Sequence, residues 1–500
     1  MAREFLPYDL DQQYLLPPSL KEWVPQDHLI FFVSDVVDSL DLSAIMDTYR
    51  KDELRGRPGY NPAMLAKLLI YGYAQGKTSS RKLERATYEE VPYRVLSGNQ
   101  HPDHDSIAAF RKRHLPALAG LFTQVLRLCQ EAGLIKLGHV ALDGSKLKAS
   151  ASKHKAMSYA RLCRSEEELR KEVERLLADA EREDQKEDQL YGSARGDELP
   201  AELAFRESRL KKIREAKAAL EEEARREAEE EARHQEERTE QRKQKEAARG
   251  RRFGGKAPRI PDPAHATPKP TKQKNFTDPE SCLMKDGATG GFIQAYNAHV
   301  AVDEESQVIV ACTLSPQPSD AAGFLPLLAE TEAQLGRLPE KVSADTGFYS
   351  HANLLEAEAR SLDCYIPPPR SVADALSEKM REKLRSEAGA DLYRRRKTVV
   401  EPVFGQIKQA RGFRQVSFRG LEAVRQEWQL ICLTHNLLKL FRAGVTPKPA
   451  PEGKASRNTR ATSPLPRYFA PVSAWISHLG HCCSEALVAV PGRVDCPTGS

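Results

Sequence analysis

The segment from Val399 to Lys408 constrains this chain most, because it predicts a helix that carries a carboxylate and a lysine on one face. Glu401 and Lys408 are seven residues apart, which is two helical turns, so both side chains can point into one site. Lys397 and Tyr393 extend the same stripe at intervals of four residues. Charged residues at such spacing are usually a solvated face with weak ion pairs, so the stripe alone does not define a site.

Two upstream aspartates are candidates to form one site with this helix, since each follows a short apolar run of strand type. Asp143 follows Gly-His-Val-Ala-Leu, Asp345 follows Lys-Val-Ser-Ala, and a glycine comes within two residues of each. An Asp before Gly is commonly only turn chemistry. Two strand-end aspartates and a helical glutamate are nevertheless the oxygen ligands that two hard cations need, about 3.5–4 Å apart, on a phosphodiester.

Several sequence motifs resemble those of a known protein family, and the resemblance covers roughly residues 1 to 442. The matching stretches are Leu142–Leu147, Thr277–Lys285, Gln294–Asp303, Ala344–Phe348 and Val400–Lys408. In these stretches the chain resembles bacterial insertion-sequence transposases of the DDE type, most closely the branch numbered eleven-eighty-two.

The resemblance implies roles for individual residues. Asp143, Asp345 and Glu401 are expected to be the catalytic triad that binds two Mg²⁺ or Mn²⁺ ions, and Lys408 matches the lysine after the glutamate. Related transposases place an arginine three residues after a tyrosine and four before the glutamate. Here Lys397 stands where that arginine is expected by its spacing to Glu401, and with Tyr393 and Lys408 it is an expected DNA contact.

A basic stretch after Glu401 predicts a DNA-binding surface, although the whole-chain net charge is only +5. Between Lys408 and Arg419, basic residues alternate with aromatic ones, as on a surface that follows a nucleic-acid backbone. Arg411 and Arg414 are therefore candidate DNA contacts. A solvated loop before the next helix is the alternative.

Residues 1–136 are predicted to form a helical DNA-binding domain. The segment Asp105–His114 begins with a capping residue and ends in Arg111, Lys112, Arg113 and His114, which suits a helix that lies along DNA. A bundle helix with cations at its C-terminal end is the ordinary alternative. His101, His104 and His114 have no zinc-ligand spacing, so we expect loop or surface histidines.

Strand and helix patterns predict an α/β RNase H-like catalytic core, over residues 137–150 and 276–442, with the N-terminal all-α domain and a long charged helical insertion. The predicted order is βββαβαβα, with the insertion between the first two strands. Asp303 and Asp320 are rival carboxylates. The first is predicted to be a turn residue and the second a helix N-cap.

The insertion spans residues 151–275 and is predicted to contain two amphipathic helices. Leu169, Val173, Leu176 and Leu177 line one, and Leu203, Leu210, Ile213 and Leu220 line the other. In residues 221–249, 19 of 29 residues are charged, which predicts a solvated helix. A flexible basic linker follows to Lys274, and a spacer, coiled coil or oligomerisation arm is the expected role. Residues 443–500 are predicted to be a disordered, dispensable tail.

Composition limits the class of protein. No apolar run approaches 18 residues, so no membrane span is expected, and the N-terminus lacks the apolar core of a secretory signal. Nine scattered cysteines show no metal-ligand spacing, which favours a reducing cytoplasm.

The resulting hypothesis is a transposase that binds element ends, cuts DNA and joins the 3′ end to target DNA, as a homodimer. An RNase H-like nuclease or resolvase without strand transfer is one alternative. An inactive DNA-binding descendant, or a coiled-coil scaffold, is the other.

Overall fold

The computed structural model describes residues 19–50, 59–152, 155–191, 201–249, 260–287 and 290–446. In these ranges, helices surround a six-stranded mixed β-sheet, and two long helices interrupt its connectivity. No helix within these ranges has an apolar stretch that could span a bilayer. Most of the predicted C-terminal tail, residues 447–500, and residues 250–259 of the predicted linker lie outside the described ranges.

Six α-helices of the described residues precede the sheet, as predicted for the N-terminal region. They are α1 (Leu29–Ser39), α2 (Ser43–Arg50), α3 (Pro62–Ala74), α4 (Ser80–Glu89), α5 (Val91–Leu96) and α6 (His104–Glu131). Pro62 opens α3, and the Asn61 side chain accepts a hydrogen bond from the Ala63 amide at 2.8 Å. Both are ordinary helix-start signals, which is why this boundary could be predicted.

Helix α6 is longer than the predicted DNA-binding helix and is capped two residues earlier. Asp103, rather than Asp105, accepts the hydrogen bond from the Ser106 amide at 2.7 Å. The helix then continues through His114 and Pro116. The basic triplet before His114 therefore lies in the first half of a long helix, not at a helix end.

The three histidines of this region have different surroundings. His101 and His104 are partly exposed, and each contacts a side chain of α4. His114 is buried, with Nε2 3.0 Å from the Tyr49 hydroxyl. The prediction of a surface position is therefore wrong for His114, because α6 continues past it and turns that face towards α2.

The central sheet has the strand order β6-β5-β1-β7-β8, with β4 sharing the outer edge of β5 with β6. The strands are β1 (His139–Lys148), β4 (Cys282–Lys285), β5 (Phe292–Asp303), β6 (Ile309–Ser315), β7 (Lys341–Ser343) and β8 (Asp363–Tyr365). β5 is antiparallel to β1, whereas β7 and β8 are parallel to their neighbours. The predicted series of strands and helices is present, with β4 as an additional short strand.

Strand β1 passes through Asp143 instead of ending there. Its pairing with β5 continues to Lys148, which faces Ala295. Gly144 is thus a strand residue and not a turn residue, and the predicted turn after Asp143 is wrong. β7 does end close to Asp345, whose carboxylate accepts a hydrogen bond from the Gly347 amide at 3.0 Å in the following 3₁₀ turn.

Helices pack on both sides of the sheet. They are α9 (Phe324–Leu335), α10 (His351–Ala359), α11 (Ala375–Arg385), α12 (Glu387–Gly405) and α13 (Leu421–Arg442), and a π-helical turn, Gln406–Ala410, follows α12. The N-terminal helices share one continuous hydrophobic core with α13 and the sheet. Tyr73 of α3 donates a hydrogen bond to the buried Glu427 of α13 at 3.3 Å. The boundary near residue 136 therefore lies between helix α6 and strand β1 and does not separate two hydrophobic cores.

The insertion forms helices α7 (Tyr159–Tyr191) and α8 (Ala201–Arg249) beside a small sheet of β2 (Ala156–Ser158) and β3 (Gln273–Asn275). It lies between β1 and β4. α7 and α8 pack through their own apolar cluster, formed by Leu162, Leu169, Leu210, Ile213, Ala216 and Leu220. Beyond Leu220, α8 is mostly exposed, which agrees with the predicted solvated helix.

The end of the predicted linker is an ordered part of this insertion. Lys272 Nζ lies 3.2 Å from Glu223 and 2.8 Å from Glu227, both on α8. β3 then pairs with β2. The prediction of a flexible linker to Lys274 is therefore wrong for its last residues, because acidic side chains of α8 bind them.

Candidate active site

Asp143 and Asp345 lie side by side because their strands are parallel neighbours in register. Ala141 of β1 pairs with Ser343 of β7, and each aspartate comes two residues after its member of this pair. Residues two apart on a strand point to the same side, and neighbouring strands are about 4.8 Å apart. The two predicted carboxylates therefore meet at one place on the sheet.

Burial and neighbouring carboxylates raise the pKa of both aspartates. Burial raises the pKa of Asp143 to about 6; the charges of Asp345 and Asp320 add to this shift, and the Arg396 guanidinium and Gly144 amide oppose it. Burial also raises the pKa of Asp345, and so does the charge of Asp320. Partly buried carboxylates in one place disfavour ionisation, so a cation at this position would relieve the repulsion.

Asp320 is a third carboxylate of this cluster, although the sequence predicts only an N-cap. It does occupy the N-cap position of a 3₁₀ turn before α9, but its side chain caps no amide. Its Oδ1 instead accepts hydrogen bonds from Asn297 Nδ2 at 2.6 Å and Lys146 Nζ at 3.2 Å. Burial would raise the pKa of Asp320, yet contacts with His299, Asn297 and Lys146 outweigh it and lower the pKa to about 2.

Asp303, the other rival carboxylate, has the predicted structural role. It is buried at the end of β5 and accepts hydrogen bonds from the amides of Lys136, Leu137 and Glu305. These bonds fix the turn after β5 and the entry to β1. Asp303 is therefore removed from the candidate site.

Helix α12 presents Arg396 to the aspartates. Arg396 Nη1 lies 3.8 Å from Asp143 Oδ1, and only 8% of the Arg396 side chain is exposed. Tyr393 lies beside it, with the guanidinium carbon 5.7 Å from the ring centroid. Burial raises the pKa of Tyr393, and the charges of Asp345 and Asp143 contribute to the shift. The arginine with the tyrosine spacing, rather than Lys397, thus faces the site.

Lys397 and Glu401 are both exposed on α12. Because successive helical residues are about 100° apart, Glu401 is rotated by about 140° from Arg396 around the helix axis. Among the described residues, the Glu401 side chain forms no hydrogen bond or ion pair. Asp143 and Asp345 are therefore together, whereas the structure gives no contact that brings Glu401 to them.

Lys408 reaches β1 from the π-helical turn. Its Nζ donates hydrogen bonds to Ser145 Oγ at 2.5 Å and to the Lys146 carbonyl at 2.7 Å. Burial lowers the pKa of Lys408 to about 8, and the charge of Asp143 opposes that shift. A π-helical turn changes the direction of following side chains, which explains why Lys408 faces β1 although Glu401 is exposed.

The predicted DNA-binding arginines separate into buried and exposed groups. Arg411 is buried and donates to Thr434 Oγ1 at 2.8 Å, so its guanidinium belongs to the interior. Arg111 also packs inward, with Nη1 bonded to the Thr78 carbonyl and its guanidinium over the Phe418 ring. Lys112, Arg113 and Arg414 are exposed. Of the predicted DNA contacts in these two segments, Lys112, Arg113 and Arg414 therefore remain available on the surface.

No group of three or more His, Cys, Asp or Glu side chains in the described ranges has the spacing of a metal-binding site. The acidic side chains are engaged within the protein: Asp143 Oδ1 accepts from the Gly144 amide at 2.9 Å, and Asp345 from that of Gly347. Hard oxygen donors are nevertheless the ligand type that Mg²⁺ and Mn²⁺ prefer.

Two protein families match this chain. A transposase domain family (DUF772) matches residues 18–113, and the transposase DDE domain family matches residues 264–437. Asp320, Asp345 and Glu401 lie within the second match, and Asp143 lies between the two. No curated protein and no solved structure matches the chain. The family matches support an insertion-sequence transposase, and a DDE domain implies an RNase H-like core, divalent metal ions and a DNA substrate.

Proposed function

We propose that this protein is a DNA transposase that cuts at the ends of an insertion sequence and joins the freed 3′ hydroxyl to target DNA. The observation that carries the proposal is the position of Asp143 and Asp345, each two residues after a paired residue of two neighbouring parallel strands. This pairing occurs within a chain that matches two transposase domain families. The proposal includes membership of the branch numbered eleven-eighty-two, whose motifs the chain resembles.

Asp143 and Asp345 are the proposed metal ligands, with Glu401 as the third member of the triad. The two aspartates suit a divalent cation, since they are adjacent and like-charged, and Arg396 is 3.8 Å from one of them. Bound Mg²⁺ or Mn²⁺, as two ions, would supply positive charge to a phosphodiester and favour ionisation of the attacking oxygen. Glu401 retains this role by resemblance, and a change in its side-chain direction would be required.

Arg396 is proposed to bind a DNA phosphate, and Lys408 is proposed to hold strand β1 in place. Arg396 is almost fully buried beside Asp143, and a planar guanidinium can bind two phosphate oxygens at once. Lys408 donates to the Ser145 hydroxyl and the Lys146 carbonyl of β1, two and three residues after Asp143, and its proposed role is to hold this part of the strand. Tyr393 packs against Arg396 and limits its movement. Lys397, being exposed, is a more distant phosphate contact.

A basic groove beyond β1 is the proposed path for a DNA strand. The groove has a volume of about 570 Å³, is lined by Lys148, Lys155, Arg419 and the exposed Phe292, and none of its lining residues in the described ranges is acidic. Lys148 is five residues after Asp143 on the same strand, or about 17 Å away. Positive charge with an exposed aromatic ring suits a nucleic-acid backbone and a stacked base.

Exposed cations near this groove and on α6 would add to DNA affinity. Arg414 follows Lys408 in the loop after the π-helical turn, and its Nε bonds to the Lys408 carbonyl at 3.3 Å. Lys112 and Arg113 are the proposed contacts on α6. Cutting and joining require two element ends in register, so we propose a homodimer, with α7 and α8 as an oligomerisation or DNA-gripping arm.

A joining assay tests the proposal. The full chain is incubated with Mg²⁺, a pre-cut labelled duplex of the element end that flanks its gene, and a supercoiled plasmid. Labelled plasmid is the expected product. Asp345→Asn should remove joining while mobility-shift binding of the duplex persists, whereas Asp363→Asn, on β8, should retain both. With an uncut duplex of the same end in a parallel reaction, cleavage without joining of the pre-cut duplex would favour the nuclease or resolvase. End binding without either reaction would favour an inactive descendant.

A further inference from the structure

Asp320 has two carboxylate oxygens with different surroundings. Its Oδ1 is held by Asn297 at 2.6 Å, by Lys146 at 3.2 Å and by His299 Nε2 at 3.3 Å. Those three donors come from β1 and β5. The side chain is thus fixed by the sheet, although Asp320 itself lies in the segment between β6 and α9.

The second oxygen, Oδ2, faces Asp345 across Gly347. A Cβ atom at position 347 would lie 2.8 Å from Asp320 Oδ2 and 3.1 Å from Asp345 Oδ1. The two carboxylate oxygens therefore border one small space, which is too tight for a methyl group. At position 144, a Cβ atom would lie 2.5 Å from Asp320 Oδ1. Glycine at both positions leaves room for the carboxylate to approach Asp143 and Asp345.

Buried groups around these carboxylates point to a ligand. Arg396 is 8% exposed, and its Nε and Nη1 lack a hydrogen-bond partner although Nη1 points at Asp143. Buried donors without acceptors are costly, so this arrangement suits a site that is completed by a cation together with an anionic group.

We propose that Asp320 is a fourth carboxylate of the active site and binds the divalent cation between itself and Asp345. This inference rests on the proposed function, because it concerns the same site. An anchored Oδ1 and an available Oδ2 are what a monodentate ligand requires: Lys146, Asn297 and His299 set its direction, and the second oxygen remains for the metal ion. Glu401, which is exposed on α12, has no comparable support.

The competing explanation is that Asp320 only holds Lys146 in place. Lys146 Nζ also donates to the Pro318 carbonyl at 2.9 Å, so a structural ion pair would serve the loop after β6. The two explanations differ in the effect of removing Lys146. A structural role predicts that Lys146→Met and Asp320→Asn have the same consequence. A ligand role predicts that only Asp320→Asn removes a metal-binding oxygen.

The test is Mn²⁺ binding to the full chain without DNA, measured from the electron paramagnetic resonance signal of free Mn²⁺. We expect Asp320→Asn to weaken binding at least tenfold, Lys146→Met to change it less than threefold, and Asp391→Asn, an exposed control on α12, to leave it unchanged. Unweakened binding in Asp320→Asn, or an equal loss in Lys146→Met, would overturn the inference.

A second variant covers the case in which Asp320→Asn does not fold. Gly347→Ala keeps every ionisable group but places a methyl group between the two carboxylate oxygens, so Mn²⁺ binding should again fall at least tenfold. Retained binding in this variant would contradict the inference. The joining assay separates the two proposals: wild-type joining that survives Asp320→Asn rejects only the fourth carboxylate. Absent wild-type joining, with Mn²⁺ binding that depends on Asp320, rejects only the transposase activity.

Discussion

Arg396 Nη1 lies 3.8 Å from Asp143 Oδ1, and the Arg396 side chain is almost fully buried. Among the described residues of α12, no other cationic side chain lies within ion-pair distance of Asp143 or Asp345. This relationship joins a helix to the central strand of the sheet. The guanidinium favours the ionised form of Asp143, while burial and the neighbouring carboxylates oppose it. The reactivity of the site should therefore depend on Arg396 in a pH-dependent way.

Arg396→Met should shift the acid limb of the joining reaction to higher pH. Without the guanidinium, the pKa of Asp143 should rise further above its value of about 6, so activity should fall more at pH 6.5 than at pH 8.5. The measurement is the joining rate from pH 5.5 to 9. Arg395→Met is the matched control, since Arg395 is half-exposed and pairs with Glu304 at 2.8 Å. An equal loss of joining rate at every pH would show that Arg396 contributes by binding the DNA phosphate and not by changing the pKa of Asp143.

Much of this arrangement follows from sequence pattern. The strand-like runs before Asp143 and Asp345 predicted that the aspartates share a sheet, and parallel pairing in register places them together. Helix boundaries with a strong signal, such as Asn61-Pro62, were also predictable. These features depend on local chemistry, which a single sequence contains.

Other features depend on tertiary contacts that sequence pattern does not contain. Asp320 has the spacing of an N-cap, but Asn297 and Lys146 draw its carboxylate to the sheet. Arg396 could have been found from its spacing to Tyr393, whereas spacing to Glu401 favoured Lys397. Arg411 has a DNA-binding pattern, yet the carbonyl and hydroxyl groups of α13 place its guanidinium in the interior.

Gly144→Ala should disrupt the site from within β1. The added methyl group would lie 2.5 Å from Asp320 Oδ1 and 2.9 Å from His299 Cδ2, so both side chains must move. We expect a loss of about 1–3 kcal/mol in the free energy of unfolding, as is usual for overpacking, and at least tenfold slower joining. Urea denaturation and the joining assay measure these effects. Gly138→Ala, where nothing lies within 4 Å, is the control and should change neither.

Glu427→Leu should weaken the connection between the N-terminal helices and the core. The buried carboxylate accepts hydrogen bonds from the Ser417 and Phe418 amides, at 2.8 and 3.2 Å, and from the Tyr73 hydroxyl. Loss of this acceptor should cost about 1–3 kcal/mol in the free energy of unfolding. Thermal unfolding measures the change. Glu422→Leu, at an exposed position of α13, should have little effect; equal destabilisation by both variants would contradict the proposed connection.

Asp143 should make the folding stability of the protein depend on pH in the absence of divalent cations. Its pKa is raised from 3.8 to about 6, so the folded state holds the proton more tightly than the unfolded chain does. The resulting stabilisation is complete below pH 4 and is lost as the pH rises through 6. A shift of about two units corresponds to at most about 3 kcal/mol.

Asp143→Asn removes this titration, and the difference between wild type and variant isolates it from other carboxylates. In chelator, the free energy of unfolding of the wild type, relative to Asp143→Asn, should fall by about 2–3 kcal/mol between pH 4 and pH 7. Urea denaturation at each pH gives this difference. Mn²⁺ at pH 7 should restore stability to the wild type alone, because the cation binds the ionised carboxylate. A pH-independent difference would show that the pKa of Asp143 is not raised in the folded protein. Equal Mn²⁺ stabilisation of both proteins would show that Asp143 is not a metal ligand.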